Sequence, residues 1–160
     1  MPQRPVVVTV TAVLAGTAAL ALLWMMLHAF LAVFALGFLL TMRIGMSGAG
    51  GDPLAGVVLP LVVSIASALG FLVAAVLFGI ATFTIPGQRR SGRTLAMVGG
   101  VIAVVTSIGF IAVVALLSAD LDDGDDGSML TWLVVVVPAI VPIAAATCAA
   151  LPAVKRWCVR

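Results

Sequence analysis

Val6 to Leu40 reads VVVTVTAVLAGTAALALLWMMLHAFLAVFALGFLL, thirty-five residues with no charge and a single histidine, His28. A run this long and this apolar cannot be solvated, and it exceeds the roughly 20 residues that a bilayer-spanning helix needs. It commits the chain to a membrane, and every other segment has to fit around it.

The composition agrees. Of 160 residues, 64% are hydrophobic and 9% charged, against about 25% charged in ordinary soluble domains. Mean hydropathy is +1.34. The sequence has no Glu, Asn or Tyr, and its one lysine is Lys155. This bias resembles that of a GC-rich genome, and it removes many groups that catalysis uses. Cys148 and Cys158 form no C-x-x-C pair and no metal-ligand spacing, so they read as small hydrophobes. A net charge of +2 is too small to imply nucleic acid as a partner. The length suits one domain.

The lead MPQRP with the apolar run behind it resembles a signal peptide, with Ala19-Leu20-Ala21 as a small-residue cleavage site. Cleavage there would leave a product starting inside a hydrophobic segment, so an uncleaved signal anchor is expected. As one helix, the run would measure about 52 Å against a hydrocarbon core of about 30 Å. Trp24 and His28 fall one turn apart near the expected outer boundary, where amphipathic rings prefer to sit. Beyond them, Phe30, Phe34 and Phe38 recur at i, i+4 and i+8 and build an aromatic ridge. This part is expected to lie on the outer leaflet, to continue the first helix, or to cover a partner.

After the glycine-rich connector Arg43–Pro53, the second apolar run spans Leu54–Ile85, also over-long, with Pro60 placed to separate a surface turn from the span. Ala66, Gly70 and Ala74 repeat every four residues, a spacing that lets helix backbones approach closely in lipid. A connector with Arg89, Arg90 and Arg93 precedes the third span, Thr94–Ser118, which contains Gly99, Gly100, Thr106 and Ser107. Asp120, Asp122, Asp123, Asp125 and Asp126 then crowd into one loop, and the fourth span covers Leu130–Val154.

The expected fold is therefore all-α, an integral membrane bundle of four helices in a single domain, 1–160, with spans near 6–40, 54–85, 94–118 and 130–154. Topology follows from the basic residues. With a cytoplasmic N-terminus and four spans, Arg4, Arg89, Arg90, Arg93, Lys155, Arg156 and Arg160 all fall inside, leaving Arg43 alone outside. That satisfies the positive-inside rule and sets the C-terminus in the cytoplasm as well. The expected location is the plasma membrane of a bacterium.

The spans contain no Asp, Glu, Lys or Arg. Proton-coupled exporters and ion pumps need such a group at mid-depth, so the pattern disfavours them. Haem ligation by two histidines within the chain is excluded by the single His28, and no cofactor is expected. The aspartate loop is a weak cation candidate, because Gly124 and Gly127 break the spacing of the best-known calcium loop. Dense like charge serves more simply to keep a loop solvated. Pro138 and Pro142, one turn apart in VVVVPAIVPIAA, each remove an amide donor, so they mark either a hinge or a fixed kink. Thr106 and Ser107 are candidate donors to the carbonyls so released. No enzyme is expected, since no nucleophile–base pair is visible. Two functions stay open. One is an accessory or assembly subunit that packs against other membrane proteins or against itself; the other is a small channel or permease for a neutral or lipid-like substrate.

Overall fold

The computed structural model describes residues 6–46, 57–87, 90–119 and 125–158. These are helical almost throughout: α1 (Val6–Met46), α2 (Val58–Thr84), α3 (Arg90–Ala119), α4 (Asp125–Ala150) and the short α5 (Pro152–Trp157), with no strand among the described residues. In hydrocarbon no water is present to satisfy backbone amides, so a helix that closes its own hydrogen bonds is the stable state whatever the residue propensities. Three helices are long and apolar enough to cross a membrane: Val6–Met42, Val58–Thr84 and Arg90–Leu116. A shorter apolar helical stretch, Pro138–Ala150, lies in α4.

α1 is one unbroken helix of 41 residues, about 60 Å long. Ala29–Met42 therefore continues the first helix. α2 is shorter than its apolar run, at 27 residues. Pro60 occupies its first turn, where an amide donor is not required, and the Leu61 amide donates to the Val57 carbonyl at 3.1 Å. Pro60 thus begins the span and does not separate a turn from it.

At the other end, α4 stops at Ala150, although the apolar pattern runs on to Val154. Pro152 is the cause. A proline disfavours the helical conformation in the residue before it, and Leu151 is extended at φ −57°, ψ 143°. The chain turns at this elbow and restarts as α5, with Pro152 at its start and Val154 and Trp157 buried.

α1 packs along α2 and α4, and α3 packs along the same two helices, while α1 and α3 barely touch; α5 lies against α1, α3 and α4. The interior is made of small side chains. Ala15, Ala18, Ala29, Ala74, Ala81 and Ala145 are fully buried, together with the hydroxyl residues Thr11 and Ser64. The exterior carries the bulk, including Val13, Leu20, Leu31, Phe34, Leu69 and Phe83. A water-soluble core has the opposite arrangement. Small residues inside and large apolar ones outside suit helices that associate within lipid, where contact between backbones and not the hydrophobic effect favours assembly. Larger side chains are also buried, among them Phe71, Phe78, Phe110, Leu22, Met25 and Ile85, and Phe71 meets Phe110 edge-on with ring centroids 6.0 Å apart.

Candidate functional site

The α2–α3 interface keeps one antiparallel register over its length, and glycine sets it. A β-carbon on Gly92 would meet the backbone of Thr84 and Ile85, and one on Gly99 would lie 3.3 Å from Leu77 and Phe78. One heptad further along α3 stands Thr106, and there the glycine comes from the other helix, Gly70. Each glycine faces a larger residue, and the helices close on one another without a gap. Gly109 continues the series beside Ser67. On α1, Gly16 faces Thr82 of α2. On the α3–α4 side, Gly100 lies under Ala146, near the carbonyl of Pro142.

Of the expected packing stripe, Gly70 touches α3 and Ala74 is fully buried, whereas Ala66 is exposed. Four-residue spacing overshoots the 3.6-residue turn, so the stripe drifts round the helix. The buried edge of α2 instead runs Ser64, Ser67, Phe71, Ala74, Phe78, Ala81, alternating threes and fours.

Along α1, Phe30, Phe34 and Phe38 are 52%, 64% and 62% exposed, so the aromatic row points away from the other helices. Phe30 and Phe34 stack edge-to-face at 5.0 Å. The Trp24 and His28 rings are tilted against each other at 4.7 Å, and His28 Nδ1 donates to the Trp24 carbonyl at 2.9 Å. The histidine is thereby held by its own helix.

Pro138 is half-buried and Pro142 buried within α4. Thr106 does not serve them. Its hydroxyl donates to the carbonyls of Ile102 and Ala103 in its own helix, at 2.8 and 3.1 Å, and its methyl faces Gly70. Ser107 is buried on the same helix. Thr11, Thr41 and Thr82 likewise donate to the carbonyl four residues back. Ser64 departs from this habit: its Oγ is buried and has no hydrogen-bond partner. Of the aspartate cluster, Asp125 and Asp126 open α4, while Asp120, Asp122 and Asp123 lie outside the described residues. Among the described residues no group of His, Cys, Asp or Glu is placed to hold a metal ion.

The structure also brings together residues that the sequence reading left apart. Arg93, near the start of α3, donates from Nε to the Ala149 carbonyl at the end of α4, at 3.0 Å. Because Leu151 leaves the helix and Pro152 has no amide hydrogen, the last carbonyls of α4 lack their usual partners. Leu151 reaches back to Cys148 at 3.2 Å, and Arg93 serves Ala149. A cation at a helix C-terminus is also favoured by the helix dipole. The only advance signal was Pro152 itself, which announces orphaned carbonyls just upstream. Cys158 is buried at this end of the fold; burial pushes its thiol pKa up, and the nearby Arg93 charge opposes that rise.

No protein-family model matches the chain, and no curated protein and no solved structure matches it either.

Proposed function

We propose that the chain is a non-catalytic multi-pass subunit of a bacterial plasma membrane, a four-helix bundle with both termini in the cytoplasm, which packs against partner membrane proteins or further copies of itself. The observation that carries this reading is the exposed row Phe30–Phe34–Phe38 on one flank of α1. Aromatic pairs across an interface contribute about 0.5–1.5 kcal/mol beyond area burial, and such contacts remain available in lipid, where burial of apolar surface has little net effect.

Native mass determination of the complex extracted in mild detergent tests it. A discrete assembly larger than one chain is expected, and Phe34→Asp should release it. A lone chain, or an assembly indifferent to Phe34→Asp, overturns the reading. Gly70 is less suitable for this test, because it is occupied by Thr106 of the same chain. Threading is tested with an impermeant thiol reagent on intact cells, in a background lacking Cys148 and Cys158. A cysteine at Gly124 should label and one at Lys155 should not.

A permease for a neutral or lipid-like substrate is the second reading. It is favoured by the unpartnered Ser64 hydroxyl inside the helices and by the two prolines of α4. On that reading a lone oligomer would conduct, and Pro138→Ala or Pro142→Ala would abolish flux.

A further inference from the structure

A lateral groove of about 390 Å³ runs between α3 and α4. Its walls are apolar: Met97, Gly100 and Val104 on one side, Ile143, Ala146 and Ala150 on the other. The volume lies within the 300–1,000 Å³ of ordinary ligand sites. It follows the seam at which Gly100 lets Ala146 sit close against the α3 backbone. From Met97 to Val105 it extends about 12 Å along the helix axis, most of the depth of one leaflet in a core of about 30 Å.

One end of this groove is charged. Arg93 stands one turn before Met97, and its Nε is fixed to the Ala149 carbonyl, next to the lining residue Ala150. That bond uses one of five guanidinium donors. Arg90, exposed, sits three residues earlier on the same face of α3. No carboxylate pairs with either arginine among the described residues, and α5 adds the exposed Lys155 and Arg156 at this end of the fold.

We infer that the α3–α4 groove binds an anionic phospholipid, with one acyl chain lying over the seam where Gly100 meets Ala146 and the phosphate at Arg93 and Arg90. A neutral partner would leave two cations unmatched at the mouth, and a polar ligand would find along the walls only the Thr147 hydroxyl, which already donates to the Ala144 carbonyl. An amphiphile with one negative head and an apolar tail satisfies both. The inference requires only that the chain resides in a bilayer, and it is independent of whether the chain joins a larger assembly.

The test is native mass spectrometry of the full chain, stripped of lipid in detergent and titrated with dioleoyl-phosphatidylglycerol or dioleoyl-phosphatidylcholine. Retention of the anionic lipid should exceed that of the zwitterionic lipid by about fivefold or more, since each surface arginine contributes roughly that factor. Arg90→Gln should lower retention of phosphatidylglycerol alone, by about fivefold. Thr147→Trp, at an exposed position on the groove wall, should lower retention of both lipids. Arg93→Gln should act as Arg90→Gln does; should it lose helix content through release of Ala149, the other two variants decide. Equal retention of the two lipids overturns the inference, as does indifference to Arg90→Gln. So does a Thr147→Trp variant that disperses a protein assembly while lipid retention stays unchanged, because the groove would then hold another helix.

Discussion

Gly70 of α2 lies directly beneath Thr106 of α3, so that a β-carbon at position 70 would overlap the threonine methyl group. The contact is possible because the Thr106 hydroxyl is turned back onto its own helix and leaves the methyl to face the interface. Two helices without a hydrophobic reason to associate in lipid are held here by proximity alone.

Gly70→Ala should therefore destabilise the protein by about 1–3 kcal/mol, the usual cost of overfilling a packed site. Thr106→Ala should relieve most of that, because only the Thr106 β-carbon, at 3.2 Å, would then face the new methyl. Unfolding of both single variants and the double variant in detergent gives the coupling, expected at about 0.5–3 kcal/mol. Additive effects would place the strain elsewhere.

Removing the Ser64 hydroxyl should have the opposite sign. A buried donor left without a partner costs about 1–3 kcal/mol, and Ser64 Oγ is such a group. Ser64→Ala is expected to raise the thermal midpoint in micelles. A fall would mean that the hydroxyl binds something in the membrane, and would favour the permease reading.

Cys158 gives a pH dependence. Its thiol pKa is raised by burial, so the folded chain keeps this proton at pH values where the unfolded chain has lost it. The associated stability is complete below the ordinary thiol pKa and falls as pH rises through and beyond it. In a Cys148→Ala background, the alkylation rate of Cys158 should therefore climb at higher pH than for a free thiol. Arg93→Gln removes the charge that opposes the shift and should move the profile higher still. A lower profile in that variant would contradict the placement of Arg93.

The elbow at Leu151 is open to a direct test. Pro152→Ala restores an amide hydrogen and lifts the constraint on Leu151, so α4 can continue and draw α5 out of its seat. Trp157, now buried, should then become wet. With Trp24 and Trp132 replaced by Phe, its emission should shift to longer wavelength. An unchanged spectrum would mean that the packing of Val154 and Trp157 holds α5 in place without the proline.

Much of this architecture was legible in the sequence, because charge-free runs and their breaks depend on transfer free energies that add residue by residue. The three long apolar helices, α1, α2 and α3, fall where the hydropathy pattern places them. Pairings were less legible. Four-residue spacing pointed to Ala66, but facing surfaces follow the true helical turn, and Ala66 ended on the outside. Thr106 and Ser107 looked available to the proline kink, yet a helical threonine has a carbonyl of its own within reach, and Thr106 uses it. Arg93 and Ala149 are 56 residues apart, and nothing local to either announces the other.

An interior built from alanine and glycine changes what a mutational survey can detect. Replacing residues one by one with alanine would pass over Ala15, Ala18, Ala74, Ala96 and Ala145 without changing an atom. At Leu20, Phe34 and Phe83 it would trim side chains that mostly face the surroundings. The informative survey adds volume: leucine placed at each of these alanines, and at Gly70, Gly99 and Gly100, would trace every seam in the molecule by the loss of folded protein.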